Sequence, residues 1–314
     1  MLYPILAILG GLVLLVWSAD RFVEGAAASA KNFGMSPLLI GLTIVSFGTS
    51  APEMLVSFMA SITDSGDLAV GNAVGSNIAN IALVLGITAI IAPLPVKSGV
   101  LKKEIPLLIG ITLLAGATLY DRQLSMLDGI LLLAGLLVCL YMFAKFPGDG
   151  DAVSDDEEIP NFSTGKAIFW LVVGLAVLVA SSRLLVWGAV EVATQLGVSE
   201  LVIGLTIVAI GTSLPELAAT VASALKNHHD IALGNIVGSN IFNLGAVMAI
   251  PGFVQTITID PEAFSRDYVA MLIATIALLA FCLIQKPPRI SRIEGGALFA
   301  GYAGYLYILY LSAA

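Results

Sequence analysis

The sequence predicts an all-α membrane protein with ten transmembrane helices in two inverted five-helix repeats. Three observations carry this prediction. Of 314 residues, 58% are hydrophobic and 11% are charged, which is too little polar surface to cover a water-soluble globule. The apolar residues fall into ten segments, and the last five segments repeat motifs of the first five. Lipid must therefore surround much of the chain, and its net charge of -8 gives no indication of a nucleic-acid partner.

Each apolar segment is long enough to cross a hydrocarbon core of about 30 Å, which needs roughly 20 helical residues. The segments run over residues 4–31, 37–61, 68–92, 104–120, 127–145, 167–193, 200–225, 230–255, 267–285 and 293–313. The first lacks the charged leading region and cleavage site of a signal peptide, so we expect it to be retained. Cys139 and Cys282 lie inside apolar segments, where we expect buried thiols and no disulfide.

The two halves of the chain are related by an offset of 163 positions. GLTIVSFGTSAPE at 41–53 aligns with GLTIVAIGTSLPE at 204–216, with 10 of 13 residues identical. The same offset places AVGNAVGSNIAN at 69–80 on ALGNIVGSNIFN at 232–243. This internal duplication predicts one five-helix repeat at 1–145 and a second at 166–314, joined by an acidic linker at 146–165.

The repeats should have opposite orientations, because an odd number of spans makes the second half enter the membrane from the other side. Cytoplasmic connections are enriched in lysine and arginine. We therefore place both termini outside a cell (inner or plasma) membrane and the 146–165 linker in the cytoplasm. The outer connections then contain only two basic residues, Arg122 and Arg266. The cytoplasmic basic residues are then Lys31, Lys97, Lys102, Lys103, Lys145, Lys166, Lys226, Lys286, Arg289 and Arg292.

Two acids occur at equivalent positions inside the spans. An ionised carboxylate at mid-bilayer costs about 2.5 to 3.5 kcal/mol on insertion scales, so Glu53 and Glu216 both need compensation. Pairing with Arg21 or Arg183 is one explanation, although no arginine repeats at the offset as the glutamates do. An intramembrane acid in a repeated polar motif favours a functional site.

A proline precedes each glutamate. Pro52 and Pro215 lack the N–H of a regular helix and should break each helix just before its acid, freeing carbonyl groups near Ser46 and Ala209. Such carbonyls must face protein or a hydrated cavity, where they suit a hard cation. The alternative is a proline kink satisfied locally by the hydroxyls of Thr49, Ser50, Thr212 and Ser213.

The following span in each half carries the pattern GNxxGSNxxN. Its glycines permit close helix packing, and its serines and asparagines either hold the helices together or face the glutamates. We expect the second role for Ser76, Asn80, Ser239 and Asn243. Carboxylate, carbonyl and amide oxygens suit Ca²⁺, which takes six to eight oxygen ligands. His228 and His229 stand together in a short connection, which we expect to be a solvated loop.

These paired motifs resemble the two inverted alpha-repeats of the cation/calcium exchanger superfamily, specifically the prokaryotic sodium/calcium exchangers, over all ten spans. The resemblance implies a secondary active antiporter that exchanges Ca²⁺ for Na⁺ by alternating access through a shared mid-membrane site. It implies no enzymatic activity and no cofactor, and its partners are the lipid bilayer and the transported ions Ca²⁺ and Na⁺, without an obligate protein partner. It also implies that the first and sixth spans slide past a core of the second, third, seventh and eighth.

The resemblance also implies a set of ion ligands. These are Glu53 and Glu216 for Ca²⁺ and Na⁺, Thr49 and Thr212 beside them, Ser50, Ser213, Ser76 and Ser239 with carbonyls near Ser46 and Ala209 for flanking Na⁺, and Asn80 and Asn243 at the centre. Many relatives carry an aspartate where this chain has Asn243, which argues against the potassium-dependent branch.

Other functions remain open from the residues. The same fold with H⁺ in place of Na⁺ is the nearest alternative, because poorly hydrated glutamates take up protons, but the abundant hydroxyls favour Na⁺. A cation channel would usually place charged rings around an axial pore. A hydrolase with Ser50 or Ser213 as nucleophile lacks a histidine or lysine in these motifs to activate it. The linker lacks the spacing and glycine of a helix-loop-helix calcium site, so we expect a solvated loop.

Overall fold

The computed structural model describes residues 2–63, 65–145 and 159–313, so most of the acidic linker lies outside the described residues. Each predicted apolar segment coincides with helix. The helices are Leu2–Phe33, Pro37–Thr49, Ala51–Ile62, Gly66–Ile91, Ser98–Lys102, Glu104–Leu119, Met126–Lys145, Thr164–Gln195, Glu200–Ile203 continuing through Gly204–Val208 into Ala209–Thr212, Leu214–Leu225, His229–Val254, Ala263–Ile284 and Arg292–Ala313. Connections between helices are paired by two short antiparallel strand pairs. One joins Leu94–Pro95 to Arg289–Ile290, and the other joins Gln123–Leu124 to Ile257–Thr258.

The chain is an all-helical membrane protein. Six helices within the described residues are long and apolar enough to cross a bilayer, and the number of candidate spans rises to eight if each of two bent helix pairs is counted as one span. Of the remaining predicted segments, Glu104–Leu119 forms a helix of 16 residues and Arg292–Ala313 one of 22 residues. The shorter helix reaches about 24 Å at 1.5 Å per residue, a little less than the hydrocarbon core.

The bent pairs confirm that proline breaks each motif helix just before its glutamate. We call Pro37–Thr49 with Ala51–Ile62 the first broken helix, bent by 43°, and Thr206–Thr212 with Leu214–Leu225 the second broken helix, bent by 55°. The joints are Ser50, with φ -83° and ψ 0°, and Ser213, with φ -89° and ψ 7°. These values lie in the sparsely populated bridge region, which is common at functional sites.

The core of the fold is built from the two helices that carry GNxxGSNxxN. Gly66–Ile91, the first buried helix, has 78% of its most apolar window buried, and His229–Val254, the second buried helix, has 83%. Their small residues permit close approach by neighbouring helices. Leu2–Phe33 and Thr164–Gln195, the first and second outer helices, are only 33% and 22% buried by the same measure. The polar motifs therefore lie at the centre of the molecule and away from lipid.

The outer helices pack against each other over most of their length. Gly11 lies against Leu185, and its counterpart at the 163 offset, Gly174, lies against Phe22, the counterpart of Leu185. Contacts exchanged in this way relate the two helices by an approximate two-fold axis. Gly188 also lies in this contact, against Pro4, whereas Gly10 has no neighbour within 4 Å on its open side.

An ion cluster ties the first outer helix to the connection that follows the second broken helix. Lys226 Nζ lies 2.7 Å from Asp20 Oδ1 and 3.1 Å from Glu24 Oε1. Burial lowers the pKa of Lys226, but the hydrogen bonds and charges of these two carboxylates have the larger combined effect and raise that pKa above the ordinary lysine value. His228 is only 1% exposed in the same connection, so the expectation of a solvated loop is wrong for this residue. Ile159 and His228 line the same cavity.

Candidate cation site

The two motif glutamates lie together at the centre of the molecule, one from each half of the chain. Glu53 and Glu216 each lie in the first turn of the helix that follows the break, and each is 1% exposed. They are close enough for the charge of one to act on the other. Helix N-termini favour a nearby negative charge, but two carboxylates in one buried site repel each other. A cation between them would remove that repulsion.

No basic side chain of the described residues compensates these acids. Arg21, one of the candidates, donates to Glu24 Oε2 at 2.7 Å, and Arg183 makes no ion pair within the described part of the chain. The alternative in which an arginine neutralises either glutamate is therefore wrong. All four carboxylate oxygens are buried without a hydrogen-bond partner.

Two further symmetric pairs of side chains share this property. The hydroxyls of Ser50 and Ser213, and both amide atoms of Asn80 and Asn243, are buried without a hydrogen-bond partner, and none of these residues is more than 1% exposed. A buried polar group left unsatisfied costs about 1 to 3 kcal/mol. Buried polar groups without partners need an explanation, and a bound ligand is one that would satisfy these three repeated pairs. The local proline kink satisfied by its own hydroxyls is therefore wrong for Ser50 and Ser213.

The asparagines stand where the buried helices widen into π-helical turns. Asn80 lies in Ala79–Leu85 and Asn243 begins Asn243–Val247. The broken helices contain equivalent π-turns at Gly41–Val45 and Gly204–Val208. Such turns are rare and frequent at functional sites, because they redirect side chains and backbone groups.

On one side of the glutamates, the first broken helix is bonded to the second buried helix. The Thr49 hydroxyl donates to Asn235 Oδ1 at 3.1 Å, lies 3.3 Å from Ser239 Oγ and stands beside Glu216. The Ser46 hydroxyl donates to the Gly41 carbonyl at 2.6 Å and lies 3.1 Å from the carbonyl oxygen of Asn235. These hydroxyls close this side of the site.

The equivalent contact on the other side is open. Thr212 is half-buried and donates to the carbonyl of Ala209 at 3.2 Å, and no bond joins it to the first buried helix within the described residues. Ser76 is 5% exposed, compared with 0% for its counterpart Ser239. A cavity of about 310 Å³ is walled by Thr212, Val208 and both motif prolines. The packing around the site is therefore looser on the side of the second broken helix, while the carboxylates themselves are buried.

Glycines at equivalent positions show the same asymmetry. A Cβ atom added at Gly238 would lie 2.2 Å from Ser46 Oγ and 2.5 Å from the carbonyl oxygen of Leu42. At the matching position in the first half, Gly75, an added Cβ atom would have no neighbour within 4 Å. Gly41 is pressed against Ile231 in the same way, whereas Gly204 has open space. Two nearly identical sequences thus form one tight and one open helix contact.

The proline breaks affect the predicted carbonyl groups differently. The Ser46 carbonyl still accepts the Ser50 amide at 2.9 Å, and it lies 3.3 Å from the Thr49 hydroxyl, which can also donate to it. In the second half, the Ser213 amide bonds to Ile210 at 3.1 Å instead of reaching Ala209. The carbonyl of Ala209 is thereby released from the regular helical bond.

Two asparagines that were not predicted as site residues hold the glutamates in place. Asn72 Nδ2 donates to the backbone carbonyl of Glu53 at 3.1 Å, and Asn235 Nδ2 lies 3.5 Å from the carbonyl oxygen of Glu216. Each asparagine follows its glutamate by 19 residues, a spacing that both halves share. That shared spacing was the signal available in the sequence. Asn235 also donates to Thr220 Oγ1 at 3.0 Å.

Alanine at these asparagines should weaken cation binding without removing either acid. We expect half-saturation for Ca²⁺ to rise about tenfold in Asn235→Ala, consistent with losing one or two hydrogen bonds that position Glu216 and Thr49. Asn72→Ala should have a smaller effect, because Asn72 makes a single such bond. Ca²⁺ titration of the purified proteins provides the measurement. Equal affinities in both variants and the parent protein would contradict a positioning role.

The donor set distinguishes the kind of ion. Among the described residues, no three histidine, cysteine, aspartate or glutamate side chains cluster around a point. The site offers two carboxylates surrounded by hydroxyl, amide and carbonyl oxygens. This composition suits hard cations such as Ca²⁺ and Na⁺ and does not suit soft transition metals.

Comparison with known proteins places the chain in a family. The family model described as sodium/calcium exchanger protein matches residues 3–145 and 166–311. CaxA of Alkalimonas amylolytica is 49% identical over 99% of this chain and 100% of its own length. The sodium/calcium exchanger MaX1 of Methanosarcina acetivorans is 32% identical over 97% of this chain and 98% of its own length.

A solved structure of the sodium-calcium exchanger NCX_Mj superposes on the chain with a TM-score of 0.84 at 32% sequence identity. The match covers 98% of this chain and 99% of the other. The family match and the relatives that span the whole chain show which family it belongs to. The chain is a transporter-type membrane protein and belongs to the sodium/calcium exchanger family.

Proposed function

We propose that the chain is a secondary active antiporter that exchanges Ca²⁺ for Na⁺ through the site around Glu53 and Glu216. The observation that carries this proposal is the pair of buried, unpaired carboxylates, one from each half of the chain, with no compensating base among the described residues. Two carboxylates supply four oxygens and two negative charges, and neighbouring groups supply the remainder that Ca²⁺ needs.

The proposed roles follow the positions of the side chains. Glu53 and Glu216 bind Ca²⁺ and also contribute to Na⁺ binding. The supporting ligands are the hydroxyls of Thr49, Thr212, Ser50, Ser213, Ser76 and Ser239, the carbonyls of Ser46 and Ala209, and the amides of Asn80 and Asn243. One Ca²⁺ or several Na⁺ neutralise the same two charges, so one ion must leave before the other binds. Without either ion, the doubly charged site resists passage through the membrane centre, which keeps the two fluxes coupled.

The proposed topology has two five-helix repeats, 1–145 and 166–314, in opposite orientations about a cytoplasmic linker at 146–165. It is supported by the separate family matches to 3–145 and 166–311 and by the exchanged contacts of the outer helices. Both termini then lie outside a cell (inner or plasma) membrane. Residues 146–158 of the linker are outside the described part of the chain.

Alternating access follows from the asymmetry of the two halves. In the proposed topology, the tight contact between Ser46 and Gly238 lies on the cytoplasmic side of the glutamates, and the open contact between Gly75 and the second broken helix lies on the outer side. Exchanging the tight and open arrangements between the nearly identical motifs would expose the same site to the cytoplasm. The structure then corresponds to the outward-facing member of this pair, in which the carboxylates are still buried.

The counter-ion is tested with purified protein in liposomes. We expect Ca²⁺ uptake when an outward Na⁺ gradient is the only driving force, and no uptake above background with an outward H⁺ gradient alone. The hydroxyl-rich surroundings of each carboxylate support Na⁺, since a proton needs only the carboxylate itself. Uptake driven by H⁺ alone would replace this proposal with Ca²⁺/H⁺ exchange. Passive Ca²⁺ flow without either gradient would indicate a channel.

A further inference from the structure

Arg183 lies on the second outer helix beside the open approach to the glutamates. It is exposed and makes no hydrogen bond or ion pair within the described residues. It lines the cavity of about 310 Å³ that also touches Thr212 and Pro215. It also lines an adjacent cavity of about 360 Å³ that reaches Thr63. A permanent positive charge therefore stands at the approach to a site built for cations.

The equivalent place in the other half carries acidic side chains that are paired with a lysine. The 163 offset relates Arg183 to Asp20 and Thr63 to Lys226. There, Asp20 and Glu24 bind Lys226 at 2.7 and 3.1 Å and join the outer helix to the connection. Arg183, by contrast, forms no ion pair with any carboxylate of the described residues and lines two cavities. The two approaches thus share a backbone arrangement but differ in charge.

We propose that Arg183 is a specificity-determining residue that repels cations at the open approach and disfavours Ca²⁺ more than Na⁺. This inference rests on the proposed exchange through Glu53 and Glu216. The energy of an ion in the field of a fixed charge is proportional to the ion's charge. The factor by which Arg183 lowers the local concentration of Ca²⁺ is therefore the square of the factor for Na⁺. At a separation on the order of 10 Å in water, these factors are about fourfold and about twofold.

The first experiment compares Arg183→Gln with the charge-preserving Arg183→Lys in right-side-out membrane vesicles at low ionic strength. Arg183→Gln should lower the outer half-saturating concentration by about fourfold for Ca²⁺ and by about twofold for Na⁺. Arg183→Lys should match the parent protein. Adding choline chloride to roughly 0.5 M should remove the differences, because it shortens the screening length to about 4 Å.

A second experiment changes the charge within one protein. Arg183→Cys is treated with a positively or a negatively charged membrane-impermeant methanethiosulfonate reagent. The native thiols are shielded, since Cys139 and Cys282 are 4% and 0% exposed. The positive adduct should restore the half-saturation of the parent protein. The negative adduct should lower the half-saturating Ca²⁺ concentration below that of Arg183→Gln.

The outcomes separate this inference from the proposed function. If the parent protein exchanges ions and Glu53→Gln does not, identical Ca²⁺ half-saturation in the parent protein and Arg183→Gln would overturn the role of Arg183 alone. Equal fold-changes for Na⁺ and Ca²⁺ would also overturn it, because a charge effect must scale with valence. Absence of gradient-driven flux in the parent protein would overturn the proposed function, and this inference with it.

Discussion

Replacing Glu53 or Glu216 by glutamine should reduce Ca²⁺ uptake by at least about 100-fold. Each change removes one of two charges from a site that lacks any compensating base among the described residues. A Ca²⁺ ion bound there would keep a net positive charge in a poorly hydrated environment, and a charge-assisted contact to it is worth about 1.5 to 3 kcal/mol before desolvation is considered. Uptake into liposomes under an outward Na⁺ gradient measures the effect.

A matched substitution controls for general damage. Glu191 lies on the second outer helix, and its Oε1 atom accepts a hydrogen bond from Gln195 Nε2 at 2.8 Å. Glu191→Gln should leave Na⁺-driven Ca²⁺ uptake close to that of the parent protein. Thermal unfolding distinguishes binding from folding. Ca²⁺ at about 100 times its dissociation constant stabilises a protein by about 2.7 kcal/mol, so it should raise the melting temperature of Glu191→Gln but not of Glu53→Gln. Uptake at the parent rate in both site variants would exclude this site.

Alanine at Gly238 and at Gly75 should have opposite effects on the conformational equilibrium. In Gly238→Ala, the new methyl group would overlap Ser46 Oγ and the Leu42 carbonyl, so the present conformation should become less stable. Overpacking costs about 1 to 3 kcal/mol, which shifts a two-state equilibrium by about 5- to 150-fold. In Gly75→Ala, the new methyl group would lie in open space in the present conformation but would be crowded in the exchanged one. This substitution should therefore favour the present conformation. Both changes should slow transport.

The direction of each shift is measured by labelling a cysteine in the open cavity. Val208 lines this cavity, is 42% exposed and is not a proposed ligand, so Val208→Cys reports access without altering the site. A membrane-impermeant thiol reagent should label it more slowly when Gly238→Ala is present and at least as fast with Gly75→Ala. Slower labelling with Gly75→Ala would mean that the two contacts do not alternate.

Much of the site could be predicted from the sequence because its main features are local and repeated. The proline before each glutamate fixes where the helix breaks, whatever surrounds it, and the repeat places Glu53 and Glu216 at equivalent positions. The energetic cost of a carboxylate inside a membrane makes both glutamates candidates for a functional site. The positioning asparagines Asn72 and Asn235 were missed because a bond to a backbone carbonyl leaves no chemical signature beyond the shared spacing.

Other features depend on tertiary packing and do not follow from composition or period. GLTIV forms the same π-turn at Gly41–Val45 and Gly204–Val208, yet the first is pressed against a helix and the second is open. These five residues are identical, so the difference depends on their surroundings, where Ser46 in the first half has Ala209 as its counterpart in the second. His228 shows the same limit, because it is buried in the fold although its polar local sequence predicts a solvated loop.

The most direct test of the central claim is the number of Ca²⁺ ions that one chain binds at equilibrium, measured by calorimetric titration of the purified protein and of Glu53→Gln and Glu216→Gln. If both acids hold the same ion, the parent protein binds one Ca²⁺, Na⁺ displaces it, and neither variant binds Ca²⁺ measurably. Two ions in the parent protein with one retained in each variant would contradict the account, because the glutamates would then form separate sites.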